Sequence, residues 1–276
     1  MKKIATACLL ACSVLYGTAS ATVAEPAVDT EKQTALNKQK KTTVVTRGDV
    51  KIIEATENIR YISQQMAKEY LFLFKTPYPD ETEERLKRSL IELADNLRVI
   101  AATTKDEDTK DILEFLAYSK DQVAQIFTEK VSEEQAALML DYSETLLEGA
   151  DSIAAAHAYD FTKEEHMLIV TKKMEYLLER MMKYYIALHV GFDNPTNKEQ
   201  MEEAIKRFDE NMELIETYHY PKEVKPVEEE IARSWQANKV FLNRSESLFI
   251  PKLMLLSTRS LERLAAQIAL YHNKNQ

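Results

Sequence analysis

Residues 60–74, RYISQQMAKEYLFLF, open on an arginine and a run of amides and close on an apolar knot, which suits neither a plain surface helix nor a plain core helix. The pattern returns at residues 175–189, EYLLERMMKYYIALH, where Tyr176, Met181, Lys183 and Tyr185 follow Tyr61, Met66, Lys68 and Tyr70 by 115 residues. That offset of 115 holds without a gap to the end of the chain. Asn96 meets Asn211, Ala117 meets Ala232 and Ser119 meets Ser234. Leu138-Met139-Leu140 meets Leu253-Met254-Leu255, and Leu146, Ala150, Ile153 and His157 meet Leu261, Ala265, Ile268 and His272. Helical periodicity gives no standing to that spacing, so one register shared by four successive segments marks duplication of a four-helix unit. The shared leucines and methionines read as core positions of both copies.

Working outward, the pattern is helical almost without interruption from about residue 50, in eight segments separated by capping signals. The first covers about 51–75 and stops at Pro77 and Pro79; Asp80 is expected to cap the next, to about 102, and a third covers about 107–128. Ser132 with Gln135 forms a capping box for a fourth, about 132–158; Thr162 with Glu165 repeats the device for a fifth, which ends near His189 before Gly191. Thr196 with Glu199 is expected to open the sixth, to about 219, a seventh follows Pro221 or Pro226, and an eighth starts near 246 with Pro251 close to its beginning. The expected fold is all-α, two tandem up-down four-helix bundles covering 50–160 and 161–276.

The start of the chain reads as a targeting segment. Lys2 and Lys3 precede an apolar run from Ile4 to Tyr16, and Ala19-Ser20-Ala21 is an A-x-A cleavage site, which gives a signal peptide over 1–21. The rival is a lipoprotein anchored through Cys12, because Leu9-Leu10-Ala11-Cys12 resembles a lipobox. Residues 22–49 are Thr- and Lys-rich with no sustained apolar period, the composition of a flexible linker. Cleavage after Ala21 removes Cys8 and Cys12, the only two cysteines, and with them disulfides, thiol nucleophiles and cysteine metal sites. It also moves the formal charge from −9 to −11, an acidic balance that argues against nucleic acid as a partner. No later segment reads as a membrane span, so a periplasmic or otherwise exported protein is expected.

The run Arg60-Tyr61-Ile62-Ser63-Gln64-Gln65-Met66-Ala67-Lys68-Glu69-Tyr70 resembles the first-helix signature of the PilJ/NarX-like sensor domains. These are the periplasmic four-helix units of nitrate/nitrite sensor kinases and type IV pilus methyl-accepting chemotaxis transducers. Arg60 takes the place of the second signature arginine, Ser63-Gln64 that of the S-Q pair, and Met66-Ala67-Lys68 and Tyr70 also agree. The second copy keeps Arg180-Met181, Lys183 and Tyr185 but has Glu175 where the first has Arg60. The family glycine is replaced by Glu57 and Lys172, and the first signature arginine by Asn58 and Lys173.

In nitrate-sensing members, the resemblance implies, the second signature arginines of two protomers clamp an anion at the dimer axis. A planar guanidinium offers paired donors to a small oxyanion, and this contact strengthens between helices, where water is scarce. Carried over, that makes Arg60, Ser63 and Gln64 ligand-binding residues, with Lys173 as a replacement charge and Glu175 as an inter-copy ion-pair partner of Arg60. The implied function is an exported, sensor-like module that binds a small, anionic ligand or a partner protein in a signalling context and performs no chemistry. A membrane sensor or another periplasmic protein would read its state.

Two rivals stand beside it: a structural bundle that has lost its ligand, and a metal- or haem-binding bundle resting on the histidines and methionines. Glu216-x-x-His219 has the spacing of one half of a di-iron motif, but no second Glu-x-x-His accompanies it. No Gly-rich phosphate loop is present and nothing in the sequence proposes a catalytic set, so neither an enzyme nor a cofactor is expected. His157 and His272, equivalent by the repeat, are read as cationic caps at helix C-termini. The tyrosines of the two first helices are read as an aromatic packing seam.

Overall fold

The computed structural model describes residues 46–75, 79–245 and 248–276, with the backbone alone for 79–81. The signal peptide over 1–21 and the linker up to residue 45 lie outside the described residues. Eight α-helices make up the described chain: α1 (Arg47–Lys75), α2 (Pro79–Thr103), α3 (Glu107–Ile126), α4 (Glu133–Ala156), α5 (Lys163–Val190), α6 (Pro195–Thr217), α7 (Lys225–Leu242) and α8 (Pro251–Lys274). The all-α class is as the sequence indicates. Among the described residues no helix is long and apolar enough to cross a membrane.

Most ends follow local capping chemistry. Thr162 and Glu165 make the full reciprocal box, the Glu165 carboxylate accepting from the Thr162 N–H at 2.8 Å and the Thr162 hydroxyl from the Glu165 N–H at 3.2 Å. Ser132 accepts from the Gln135 N–H at 3.3 Å, and Gly191, at φ 122°, ends α5 in a conformation that only glycine adopts freely. Four expected boundaries are corrected. The linker was expected to reach residue 49, but Thr46 caps α1: its hydroxyl accepts from the Asp49 N–H, and Asp49 accepts in return from the Thr46 N–H at 3.1 Å. α2 starts at Pro79, so Asp80 lies inside its first turn; the Asp80 side chain and Pro77 lie outside the described ones. α6 is capped by Asn194, whose side chain accepts from the Asn197 N–H at 2.9 Å with Pro195 pre-set behind it, in place of Thr196. α8 begins at Pro251 and not near 246, since proline serves as a first-turn residue and here starts the helix.

Each helix packs on the next: α1 on α2, α2 on α3, α3 on α4, and α4 closes back on α1. The sequence α5, α6, α7, α8 and back to α5 repeats this ring, and the rings meet along α1 and α5. The described residues form one compact unit, so both segments expected as four-helix units, 50–160 and 161–276, have their described residues within a single body. The outer helices bury one stripe, as in α3, where Thr109, Leu113, Leu116, Val123 and Ile126 recur at helical spacing. α1 and α5, each shared by its own ring and by the other, are buried nearly all round.

The two histidines equivalent by the repeat close the rings through contacts that a cap assignment alone does not supply. His157, the C-cap of α4, places Nδ1 3.1 Å from Asp49 at the start of α1; His272, in the last turn of α8, places Nδ1 2.6 Å from Glu164 at the start of α5. Asp49 and Glu164 are themselves 115 residues apart. Burial pushes both carboxyls up, but the hydrogen bonds from Thr46 and His157, and from Tyr218 and His272, outweigh it and hold them below their usual values.

Candidate functional site

Arg60 lies on the face of α1 turned towards α4 and α5, and is 7% exposed. A guanidinium so buried needs carboxylate partners. It has two: Glu57, one turn back on α1, and Asp151 of α4, whose Oδ1 lies 2.5 Å from Nε. The expected inter-copy pair of Arg60 with Glu175 is therefore corrected. Glu175 takes Lys172 at 2.8 Å on its own helix, while the Arg60 charge is met from α1 and α4. Glu57 and Asp151 thus meet the Arg60 charge from within the first ring.

Ser63 and Gln64 are not brought into a site. The Ser63 hydroxyl donates to the Arg60 carbonyl at 2.9 Å, and Gln64 donates to the Ser143 carbonyl of α4 at 3.0 Å; both residues are fully buried. Ser63 closes a bond within α1, and Gln64 ties α1 to α4. Lys173 does join Arg60. A cavity of about 350 Å³ between α1, α4, α5 and α6 is lined by Arg60, Asp151, Lys173, Tyr176, Leu177, Arg207, Glu210 and Asn211. Arg207 holds Glu203 at 2.8 Å from outside the cavity. Lys173 forms no ion pair among the described residues.

A second cavity, of about 480 Å³, is lined by Glu57, Asn58, Tyr61, Ile62, Glu92, Asp95, Asn96, Lys172 and Glu175. Seven of the eight residues around the first cavity have their 115-residue counterparts around the second. Tyr176 matches Tyr61, Leu177 matches Ile62 and Asn211 matches Asn96, whereas Arg60 becomes Glu175, Arg207 becomes Glu92 and Lys173 becomes Asn58. Shape repeats while charge reverses. The first cavity presents three cations and two carboxylates, the second one cation and four carboxylates.

Between these cavities and the far ends of α1 and α5 runs a buried ionic seam. Lys68 of α1 pairs with Glu179 of α5, both nearly inaccessible, and Arg85 reaches Glu69 at 3.0 Å. Lys183, the counterpart of Lys68, pairs with Glu144 of α4 and donates to the Ser143 hydroxyl at 2.9 Å; Arg180 also meets Glu144, at 2.7 Å. Burial pushes the Lys183 ammonium down to about 8 despite Glu144. Burial, and then the neighbouring Glu179, push the Glu262 carboxyl of α8 up to about 9.

The remaining candidates are placed plainly. Glu216 and His219 are exposed near the end of α6, and among the described residues no three histidines, cysteines or carboxylates gather as metal ligands. Tyr70, Tyr176, Tyr184 and Tyr185 are buried, as a packing seam requires. Sequence reasoning missed Asp151 and Arg207 as cavity residues. For Arg207 the signal that could have found it is the offset itself, applied to charge: Arg207 corresponds to Glu92 in the repeat as Arg60 corresponds to Glu175.

The fold and cavities define a helical bundle with two opposed polar recesses. No family model, no curated protein and no solved structure matches the chain.

Proposed function

We propose that this protein is an exported helical binding module that holds a small anion, an oxyanion or a carboxylate, in the cavity lined by Arg60, Lys173 and Arg207. The observation that carries the reading is the convergence of these three cations from α1, α5 and α6 on one recess. Arg60 is held in place by Glu57 and Asp151, Lys173 is the charge without an ion pair, and Tyr176 and Asn211 add neutral polar groups. Guanidinium and ammonium donors with restricted water access suit a small anion. The resemblance of residues 60–70 to the sensor signature supports the same ligand class, and the basic, apolar and A-x-A succession over 1–21 supports export. A bound state would be read by a partner protein, a membrane sensor or another exported protein.

Thermal denaturation against nitrate, sulfate, acetate and benzoate tests this. An anion at 100 times its Kd is expected to stabilise by about 2.7 kcal/mol, a rise of several degrees for a chain of this size. Lys173→Ala and Arg207→Ala, both at the cavity wall, are expected to abolish the rise. No shift with any anion, or an undiminished shift in both variants, rejects the reading and leaves a structural bundle, which the two carboxylates already bound to Arg60 would then explain.

A further inference from the structure

The histidine contacts that close the two rings share one geometry, but the second is built from tyrosines. In the first ring, His157 Nε2 faces the hydroxyl of Thr109 at 3.1 Å and that of Thr104 at 3.4 Å. In the second, Tyr220, between α6 and α7, donates its hydroxyl proton to His272 Nε2 at 2.9 Å. His272 Nδ1–H donates to Glu164 Oε2 at 2.6 Å, and the Tyr218 hydroxyl donates to Oε1 of the same carboxylate at 2.5 Å. Tyr218, Tyr220 and Tyr271 stand where the first ring has Thr103, Lys105 and Ala156. Their half-buried rings touch: Tyr218 and Tyr220 are 4.6 Å apart, and Tyr271 lies 5.8 Å from Tyr220 and 6.4 Å from Tyr218. A latch needs only a hydroxyl at Nε2, which threonine supplies in the first ring. Three tyrosines in contact exceed that need.

The chain Tyr220–His272–Glu164 has the geometry that lets a phenol lose an electron and a proton together. A phenol stripped of an electron is strongly acidic, so its oxidation is easy only where a base within hydrogen-bond reach takes the proton. Imidazole is the better of the two bases present, with an ordinary pKa of about 6.5 against about 4.3 for a glutamate, which singles out Tyr220 over Tyr218. Glu164, held below its usual value, stays ionised and is placed to stabilise the imidazolium that forms. Burial pushes the Tyr220 phenol up, so it keeps its proton until an electron leaves. His272 is inaccessible, but an electron crosses packed rings without the oxidant touching the Tyr220 oxygen.

We infer that Tyr220 is a redox-active tyrosine, with His272 as its proton acceptor and Tyr218 and Tyr271 as the rings through which the electron leaves. The oxidant is a one-electron acceptor, such as a peroxyl radical or a high-potential metal complex, and is reduced by that electron. The Tyr220 O–H bond breaks, its proton passes to Nε2, and a neutral phenoxyl remains beside an imidazolium paired with Glu164. A one-electron donor such as ascorbate reverses the step, and the proton returns from Nε2. None of these residues lines the anion cavity, so the inference stands independently of the function proposed above.

The test is oxidation of the purified protein by photogenerated tris(bipyridine)ruthenium(III) in dilute buffer at about pH 8, above the ordinary imidazole value. Phenoxyl formation is followed by transient absorption and electron paramagnetic resonance. Tyr220→Phe is expected to slow it about tenfold or more, since it removes the phenol that has a positioned base. Tyr159→Phe, which removes a hydroxyl facing only the Glu165 carboxylate at 3.1 Å, is expected to leave the rate unchanged. His272→Gln, which keeps an amide at the latch, is expected to slow formation and to remove the lowered g-value of a hydrogen-bonded phenoxyl. Should that variant not fold, heavy water supplies the same information: the parent is expected to slow about twofold, and Tyr220→Phe to lose that dependence. The inference is overturned by an unchanged rate in Tyr220→Phe, by an equal loss in Tyr159→Phe, by an unchanged rate in folded His272→Gln, or by no slowing of the parent in heavy water.

Discussion

The two rings use one plan and opposite electrostatics. In the first, α1 brings Arg60 and Lys68; in the second, α5 brings Glu175 and Lys183 at the same positions. Both lysines are buried, but Lys68 faces Glu179 and stands near Glu69 and Glu262, while Lys183 faces Glu144, which Arg180 also holds. Positions that recur at the 115-residue offset keep their packing residues because every neighbour depends on them. Polar positions at the joint between the copies can diverge in pairs, provided each buried charge still meets an opposite one. The result is two recesses of common outline, one basic and one acidic.

The comparison is broken most severely at the lysines. Lys68→Met removes the cation opposite Glu179 and leaves buried carboxylates facing one another, and is expected to cost about 3–5 kcal/mol in urea denaturation at pH 7. Lys183→Met is expected to cost clearly less, because Glu144 keeps Arg180. Equal losses would mean that the two halves are not electrostatically distinct at this level.

A second test uses Glu262, whose counterpart in the first ring is Leu147. Burial and Glu179 raise the Glu262 carboxyl to about 9 in the folded state, far above its usual value. Below the unfolded value both states are protonated and nothing is lost. As pH rises from about 5 towards 9 the unfolded chain ionises and the folded one does not, so stability falls, by up to about 1.4 kcal/mol per pH unit for one full proton. Glu262→Leu, which copies the first ring, is expected to flatten the fall in urea midpoint between pH 5 and 9. An unchanged slope would show that another group drives it.

The smallest effect concerns the tyrosines at equivalent positions, Tyr70 and Tyr185. The Tyr185 hydroxyl donates to the Leu248 carbonyl at 2.9 Å and accepts from the Ile250 N–H at 2.7 Å, holding the segment that leads into α8. The Tyr70 hydroxyl is buried without a partner among the described residues. Tyr185→Phe is expected to destabilise by about 1–2 kcal/mol, and Tyr70→Phe to be neutral or slightly stabilising. Equal losses in thermal denaturation would contradict the asymmetry.

The helices were legible because capping and hydrophobic period are local: Thr162-x-x-Glu165 and Ser132-x-x-Gln135 need no knowledge of the rest of the fold. Boundaries slipped where two local signals competed, as at Asn194-Pro195 against Thr196, or Pro251 against residue 246. Arg60 was legible as a buried, functional-looking cation, and its grouping with Lys173 followed from their places in the two first helices. Its partner was not legible. A symmetric clamp sets Arg60 against Glu175, but the nearest acid for a guanidinium on α1 is Glu57 one turn away, and Asp151 arrives from a helix that no motif points to. Ser63 and Gln64 looked like ligand donors because they match the S-Q pair of the sensor signature; in the fold Ser63 satisfies a carbonyl of its own helix and Gln64 one of α4. The histidine–carboxylate contacts were within reach, since Asp49 and Glu164 obey the same offset as His157 and His272.

The Glu57–Arg60 pair carries a consequence for regulation. One member lines the acidic recess and the other the basic one, and each is the other's partner. An anion that drew Arg60 towards itself would loosen its hold on Glu57, and a cation drawn to Glu57 would free Arg60 in the same measure. Thermodynamic reciprocity requires the two enhancements to be the same factor. The Glu57–Arg60 pair is thus a direct electrostatic link between the two recesses, so a charge placed in one is felt in the other.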